Sequence, residues 1–216
     1  MALLLQFESD AASANRLTGD GFRETPTRER ILRVATALFR QRGYHSVGLT
    51  EILTAARAPK GSLYHHFPQG KAELAENCIA RVADASIAAL DLAEADGRTI
   101  SDQLRRSAMQ SARWLQLNQW RDGSLLAVIG QEEAGQEGSM GDAVRLAYQR
   151  IEMRLAKMLM REGMALSRAR EIAATIIAAE EGALVLARSR RDGAPLHHVA
   201  NMLVGLVAEG ATSSAG

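Results

Sequence analysis

Between Lys60 and His66 the chain places a cation, a hydroxyl, a phenol and two imidazoles in the run Lys60-Gly61-Ser62-Leu63-Tyr64-His65-His66. Thr50 and Arg57 precede it and Lys71 follows. These side chains are hydrogen-bond donors of the kind that hold phosphate oxygens and base edges. The same run fits catalysis poorly. Ser62 lies near His65 and His66, but no carboxylate is placed to orient either imidazole as a triad needs. His65-His66 and the second pair, His197-His198, point about 100° apart on a helix and do not share a ligand position. No His-Glu-x-x-His, Cys-x-x-Cys, phosphate-cradling glycine loop or nucleophile elbow is present. Catalytic residues, a bound metal and a cofactor are therefore not expected.

Such donors act only if a rigid element presents them together. Ile52, Leu53 and Ala56 form the inward face of one short helical pattern, and Leu63, Tyr64 and Phe67 that of the next. Between them Arg57-Ala58-Pro59 stops one helix and starts the other, because proline fixes φ and lacks an N–H. Two short helices across such a turn make a helix-turn-helix, whose second helix can enter a DNA major groove. A longer helix predicted from Thr27 to Tyr44 supports the pair, with Ile31, Ala35, Leu38 and Phe39 on one face and Gly43 at its end.

At this point the chain resembles a family. Ile31-Leu-x-x-Ala-x-x-Leu-Phe39, Gly43-Tyr44, Glu51-Ile52, Ala55-Ala56 and Lys60-Gly-Ser-Leu-Tyr-His-His-Phe67 are similar to the DNA-binding domain of TetR (tetracycline-repressor-like) regulators. Gly48 stands where that family usually has Thr, leaving Glu51 to bond back to the Gly48 N–H as half a capping box. Arg57 replaces the usual turn glycine and Pro59 a capping serine. Phe67-Pro-Gln-Gly-Lys71 is one residue longer than the common link. Together these departures resemble the LmrA/YxaF-like branch. The resemblance implies that Lys60, Gly61, Ser62, Tyr64, His65 and Lys71 face DNA, and Thr50 near the start of the second helix and the departing Arg57 are additional candidates for phosphate contact. Ser62 and His65 would reach bases or phosphates, and Tyr64 and Lys71 would hold the backbone.

Charge along the chain agrees. Net charge is only +1 over 216 residues, yet residues 23–75 carry nine Lys/Arg against four Asp/Glu. Positive charge gathers where phosphate attraction would need it. One cysteine, Cys78, excludes an internal disulfide and suits a reducing cytoplasm. No stretch has eighteen uninterrupted apolar residues, and Met1 to Leu5 is too short for a signal peptide or a span, so no membrane partner is expected. Residues 1–26 show no sustained period and are expected to be a flexible tail, with Arg16, Arg23 and Arg28 as candidates for a minor-groove arm.

Beyond the module the pattern is helical throughout: Lys71–Leu92, Ile100–Trp120, Leu125–Ala134, Asp142–Glu162, Ser167–Arg190 with a serine cap, and a last helix striped by Leu196, Val199, Leu203, Leu206 and Val207. The last two helices are richer in small and aliphatic residues than one partner could cover. In the resembling family such helices form a four-helix dimer interface, which here implies Ile176, Ala179, Gly182, Ala183, Leu186, Val199, Leu203 and Leu206. Trp114, Trp120, Tyr148 and Met153, with Met109, Met158 and Met160, are candidates to line an effector pocket, although core packing is the commoner fate of such residues. Glu180 and Glu181 interrupt an apolar helix and are candidates to neutralise a cation.

The resulting expectation is an all-α chain with three parts. A tail (1–26) precedes a three-helix helix-turn-helix domain (27–75), which is followed by a larger helical effector-binding and dimerisation domain (76–216). It would act in the cytoplasm as a homodimeric transcriptional regulator, most plainly a repressor. A small apolar effector of unknown identity would release it from an inverted-repeat operator in double-stranded DNA. The rival is a helical adaptor or ligand-binding protein with no sequence-specific DNA reading, which leaves the basic module unexplained.

Overall fold

The computed structural model describes residues 25–135 and 137–212. Among them are nine helices and no strand: α1 (Thr27–Arg42), α2 (Leu49–Ala55), α3 (Lys60–His66), α4 (Lys71–Ala95), α5 (Ile100–Leu117), α6 (Leu125–Glu132), α7 (Ser139–Arg161), α8 (Leu166–Arg190) and α9 (Ala194–Thr212). Arg16, Arg23 and all but the last two residues of the expected tail lie outside the described residues. Contacts divide the chain into two compact units. One holds the described residues through Val82 together with 125–147, and the other holds 83–124 with the chain from Tyr148 onward. The division passes within α4 and within α7.

In the first unit α1 packs on α2, α3 and α6. Ile31, Ala35, Phe39, Ile52, Leu63 and Phe67 are buried beneath that crossing. Burial of each such large side chain contributes roughly 1.5–3 kcal/mol. α1 stops at Arg42 rather than Tyr44 because Gly43 turns to φ 84°, and its N–H still reaches the Phe39 carbonyl at 2.9 Å. A Cβ there would also lie 2.1 Å from Glu132 Oε1 on α6, so that carboxylate would have to shift. Glu132 Oε2 in turn accepts the Tyr44 N–H at 2.6 Å, and buried Glu133 meets His45 Nε2 at 3.1 Å. The C-terminal end of α6 and the residue after it thus clasp the α1–α2 link with two carboxylates.

In the second unit α9 packs against both α5 and α8. Leu90, Ile100, Leu104, Leu115, Ile151, Leu155, Ile172, Ile176, Leu184 and Leu203 are buried in its core. α5 opens on a reciprocal cap between Thr99 and Asp102, and the Ile100 N–H is taken by Glu162 at 2.7 Å. It ends at Leu117, short of Trp120, because Gln119 and Trp120 adopt φ of 53° and 62°. Ion pairs join α7 to the C-terminal half of α4: Arg150 to Asp84 at 2.7 Å, and Arg154 to Asp91 at 2.5 Å and to Glu94 at 2.9 Å. α8 begins at Leu166 behind Ala165 with no side-chain cap, so the expected serine cap is absent and Ser167 lies inside the helix. Among the described residues no helix is long and apolar enough to cross a membrane.

Candidate nucleic-acid interface

The turn between α2 and α3 is built without glycine. Arg57 holds φ 50°, a left-handed backbone that L side chains rarely adopt. The Ala58 N–H closes the turn onto the Leu53 carbonyl at 2.9 Å. From α1 the Arg30 guanidinium donates to the Ala56 carbonyl at 3.1 Å, to Arg57 at 3.3 Å and to Thr25 at 2.7 Å. Carbonyls left over at the end of α2 are thereby satisfied, and the strained residue is pinned in place. Arg30 counts as positive charge in the sequence, but its position is set by the turn.

Pro59 precedes α3 with φ −59°, and the Ser62 N–H bonds its carbonyl at 2.9 Å. With Leu63 and Phe67 buried, the opposite side of α3 is left open. Thr50, Arg57, Lys60, Gly61 and His65 are exposed, Ser62 and Lys71 are half-buried, and Tyr64 is 62% exposed. Tyr64 therefore does not share the inward face with Leu63 and Phe67. A step of one residue turns it about 100° from Leu63, and only Leu63 and Phe67, four apart, stack on the same side. No atom lies within 4 Å of where a Gly61 Cβ would stand, so that surface is open to a close partner.

Lys71 is more constrained than its sequence suggests. Its Nζ sits 4.2 Å from the Tyr44 ring centroid, a cation–π contact, and burial pushes its pKa down against the opposing pull of Glu132. Arg28, a candidate for a minor-groove arm, is instead in α1, bonded to Asn77 Oδ1 at 2.6 Å with its guanidinium 5.2 Å from the Phe67 centroid. Glu51 does not bond back to Gly48; its carboxylate accepts from Arg42 at 2.5 Å. Sequence reasoning missed Glu132 and Glu133. Their only signal was two adjacent acids at the end of a short apolar helix, a pattern that also reads as an ordinary solvated end.

In the second unit the effector candidates separate. Trp114 is buried, Trp120 and Tyr148 are half-buried, and Met153 is 62% exposed. Met153 follows Tyr148 by five residues, about 140° around the helix, which takes it off any wall Tyr148 helps to form. Tyr148 Oη and Ser124 Oγ both donate to Oε1 of Glu181, at 2.9 and 2.8 Å. Neighbouring Glu180 accepts from Ser107 at 3.1 Å. Burial raises the Glu181 pKa, opposed by those two hydroxyl bonds, and the Tyr148 phenol is raised by burial and by Glu181. Among the described residues no cluster of three metal-ligating side chains is present.

The expected interface set also separates. Ile176, Ala183 and Leu203 are buried within their own chain and have no free surface to lend a second copy. Gly182 and Leu186 are exposed, and Ala179, Val199 and Leu206 are half-buried.

This geometry has relatives. Residues 31–78 match the family model for bacterial regulatory proteins of the tetR family, and residues 101–202 match that for the C-terminal domain of LmrA/YxaF-like transcriptional regulators. The chain belongs to the TetR family. It is 29% identical over 189 residues to the HTH-type transcriptional regulator LmrA of Bacillus subtilis, covering 84% of this chain and 96% of that one. It is 30% identical over 185 residues to an HTH-type transcriptional regulator of Mycobacterium tuberculosis, covering 83% and 93%. Among solved structures, a TetR transcriptional regulator from Legionella pneumophila superposes with a TM-score of 0.73 at 25% identity, over 83% of this chain and 96% of that one. The all-α architecture and the LmrA/YxaF-like assignment follow. So does the activity: a DNA-binding transcriptional regulator, from a family of regulators rather than enzymes.

Proposed function

We propose that this TetR-family regulator is a cytoplasmic repressor that binds an inverted-repeat operator as a homodimer and is released by a small effector. The proposed parts are the tail (1–26), the reading domain (27–75) and the effector and dimerisation domain (76–216). The observation that carries the DNA reading is the outward row Thr50, Arg57, Lys60, Gly61, Ser62, Tyr64 and His65, raised on buried Leu63 and Phe67. α3 enters the major groove, Ser62 and His65 read bases or phosphates, and Tyr64, Thr50, Arg57 and Lys71 hold the backbone. One such helix spans few base pairs, so two copies on half-sites about 34–36 Å apart supply the specificity. An effector releases DNA only by binding the other conformation better. α4 is one continuous helix from Lys71 to Ala95, so a displacement of its C-terminal part is carried to its first turn.

The test uses duplexes from the promoter beside the regulator's own gene. Anisotropy across a salt series should give a steep dependence, and Lys71→Ala should lower the slope by about one. Ser62→Ala and His65→Ala should shift preference among operator variants, whereas Tyr64→Phe should weaken all of them alike. Equal affinity for scrambled and promoter duplexes would defeat the reading.

A further inference from the structure

One carboxylate oxygen in the second unit is left with no function by the DNA reading. Glu181 Oε1 accepts hydrogen bonds from both Tyr148 and Ser124, so three separate segments converge on it: α8, α7 and the residue before α6. Oε2 of the same carboxyl is hidden from solvent and has no hydrogen-bond partner. A buried carboxylate oxygen without a donor is costly, so its persistence calls for a partner or a role. Among the described residues no Lys or Arg forms an ion pair with Glu181. Arg188, on the same face of α8 two turns on, donates to the Arg121 carbonyl at 2.8 Å instead. On α8, Ala183 and Leu184 are buried beside Glu181, and the adjacent Glu180 is engaged by Ser107.

We propose that Glu181, framed by Tyr148 and Ser124, is the cation-binding carboxylate of the effector site, and that the effector is an organic cation: a protonated amine or amidinium, on an apolar body, that directs an N–H to Oε2. The two hydroxyls fix the carboxyl plane and occupy Oε1, so the free oxygen is preset for one incoming donor. A neutral molecule of the same shape would offer Oε2 no donor, or with a hydroxyl only an uncharged one. This is how the site would choose between them. The inference deepens the effector-released reading and rests on it.

The test sets 1-naphthylmethylamine, protonated at neutral pH, against its neutral isostere 1-naphthylmethanol, by calorimetric titration of the full chain. The amine should bind about tenfold more tightly or better, as expected for a charge-assisted hydrogen bond in a buried site. Glu181→Gln, isosteric and neutral, should reduce the preference to about twofold or less while alcohol affinity is kept. Tyr148→Phe should fall between, because the carboxyl is then less well held. Equal affinity for amine and alcohol, or an amine preference that survives in Glu181→Gln, overturns the assignment. Anisotropy with promoter DNA runs in parallel to separate the two readings. Glu181-dependent amine binding that leaves DNA bound keeps the site and sinks effector release. Loss of the amine preference with normal DNA binding removes the site and leaves the regulator standing.

Discussion

Arg57 occupies backbone that glycine would fill at less strain, and it also presents a cation beside α3. The two roles predict opposite signs for one substitution. Arg57→Gly should raise thermal stability by up to about 1 kcal/mol, since the left-handed penalty disappears. If the side chain touches phosphate, DNA affinity should fall and the salt slope should drop by about one. Stability gained with no change in slope would assign Arg57 to the turn alone. Glu181 makes a second case. Burial raises its folded-state pKa above the unfolded value, so its favourable contribution is full below the ordinary carboxylate range and is lost as pH rises through the folded value. Glu181→Gln does not titrate. Its melting temperature relative to the parent should be highest near pH 8, by an amount corresponding to about 1 kcal/mol or more, and should decline toward pH 4.5. A difference constant across that range would mean that the carboxyl is not desolvated in the folded chain.

At the scale of elements, the helices were legible because their apolar spacing is local. The module from Ile31 to Phe67 was legible in order and register as well. What could not be read is how side chains distant in sequence meet. Glu132 and Glu133 lie 88 residues from Tyr44 and His45, and no periodicity announces such a contact. The aromatic ring of Tyr64 reads as inward, but a helix of seven residues has one narrow buried side, already filled by Leu63 and Phe67. Apolar register and the Asp122-Gly123 stop extend the helix to Trp120, whose left-handed φ instead belongs to the turn after α5. The clasp by α6 yields its own prediction. Gly43→Ala meets both a positive φ and the Glu132 carboxylate, and should destabilise the chain by about 1–3 kcal/mol. Glu132→Ala removes the clash but also the acceptor of the Tyr44 N–H. Denaturant unfolding of the double variant should therefore show less than the sum of the two single losses. Strict additivity would separate Gly43 from α6 and leave only the backbone term.

At the scale of the whole molecule, pairing of two copies depends on what α8 leaves uncovered. Thr175, Ala178, Gly182, Val185, Leu186 and Ser189 are exposed and recur along one side of the helix, and Met202 and Gly205 are exposed on α9. Small residues let two helix backbones approach closely, and exposed Val185, Leu186 and Met202 supply apolar area that a lone chain would leave wet. Ile176, Ala183 and Leu203, which share the same composition, are already enclosed by their own chain. The two classes separate assembly from folding in one experiment. No atom lies within 4 Å of the place where a Gly182 Cβ would stand, so Gly182→Arg fits the single chain and should leave its circular dichroism and melting unchanged apart from any contribution from dimerisation. In a dimer closed on that stripe it buries an unpaired cation from each copy, a cost of several kcal/mol and enough to dissociate many dimers. Ala183→Arg forces the same cation into the core of one chain and should instead unfold it. Sedimentation should show the parent as a dimer, Gly182→Arg as a folded monomer, and Ala183→Arg as unfolded or aggregated. Promoter affinity of Gly182→Arg should then fall to that of a single half-site contact, because the second reading head is no longer held at a fixed spacing. A Gly182→Arg protein that still sediments as a dimer with full promoter affinity would place the pairing surface elsewhere on the chain.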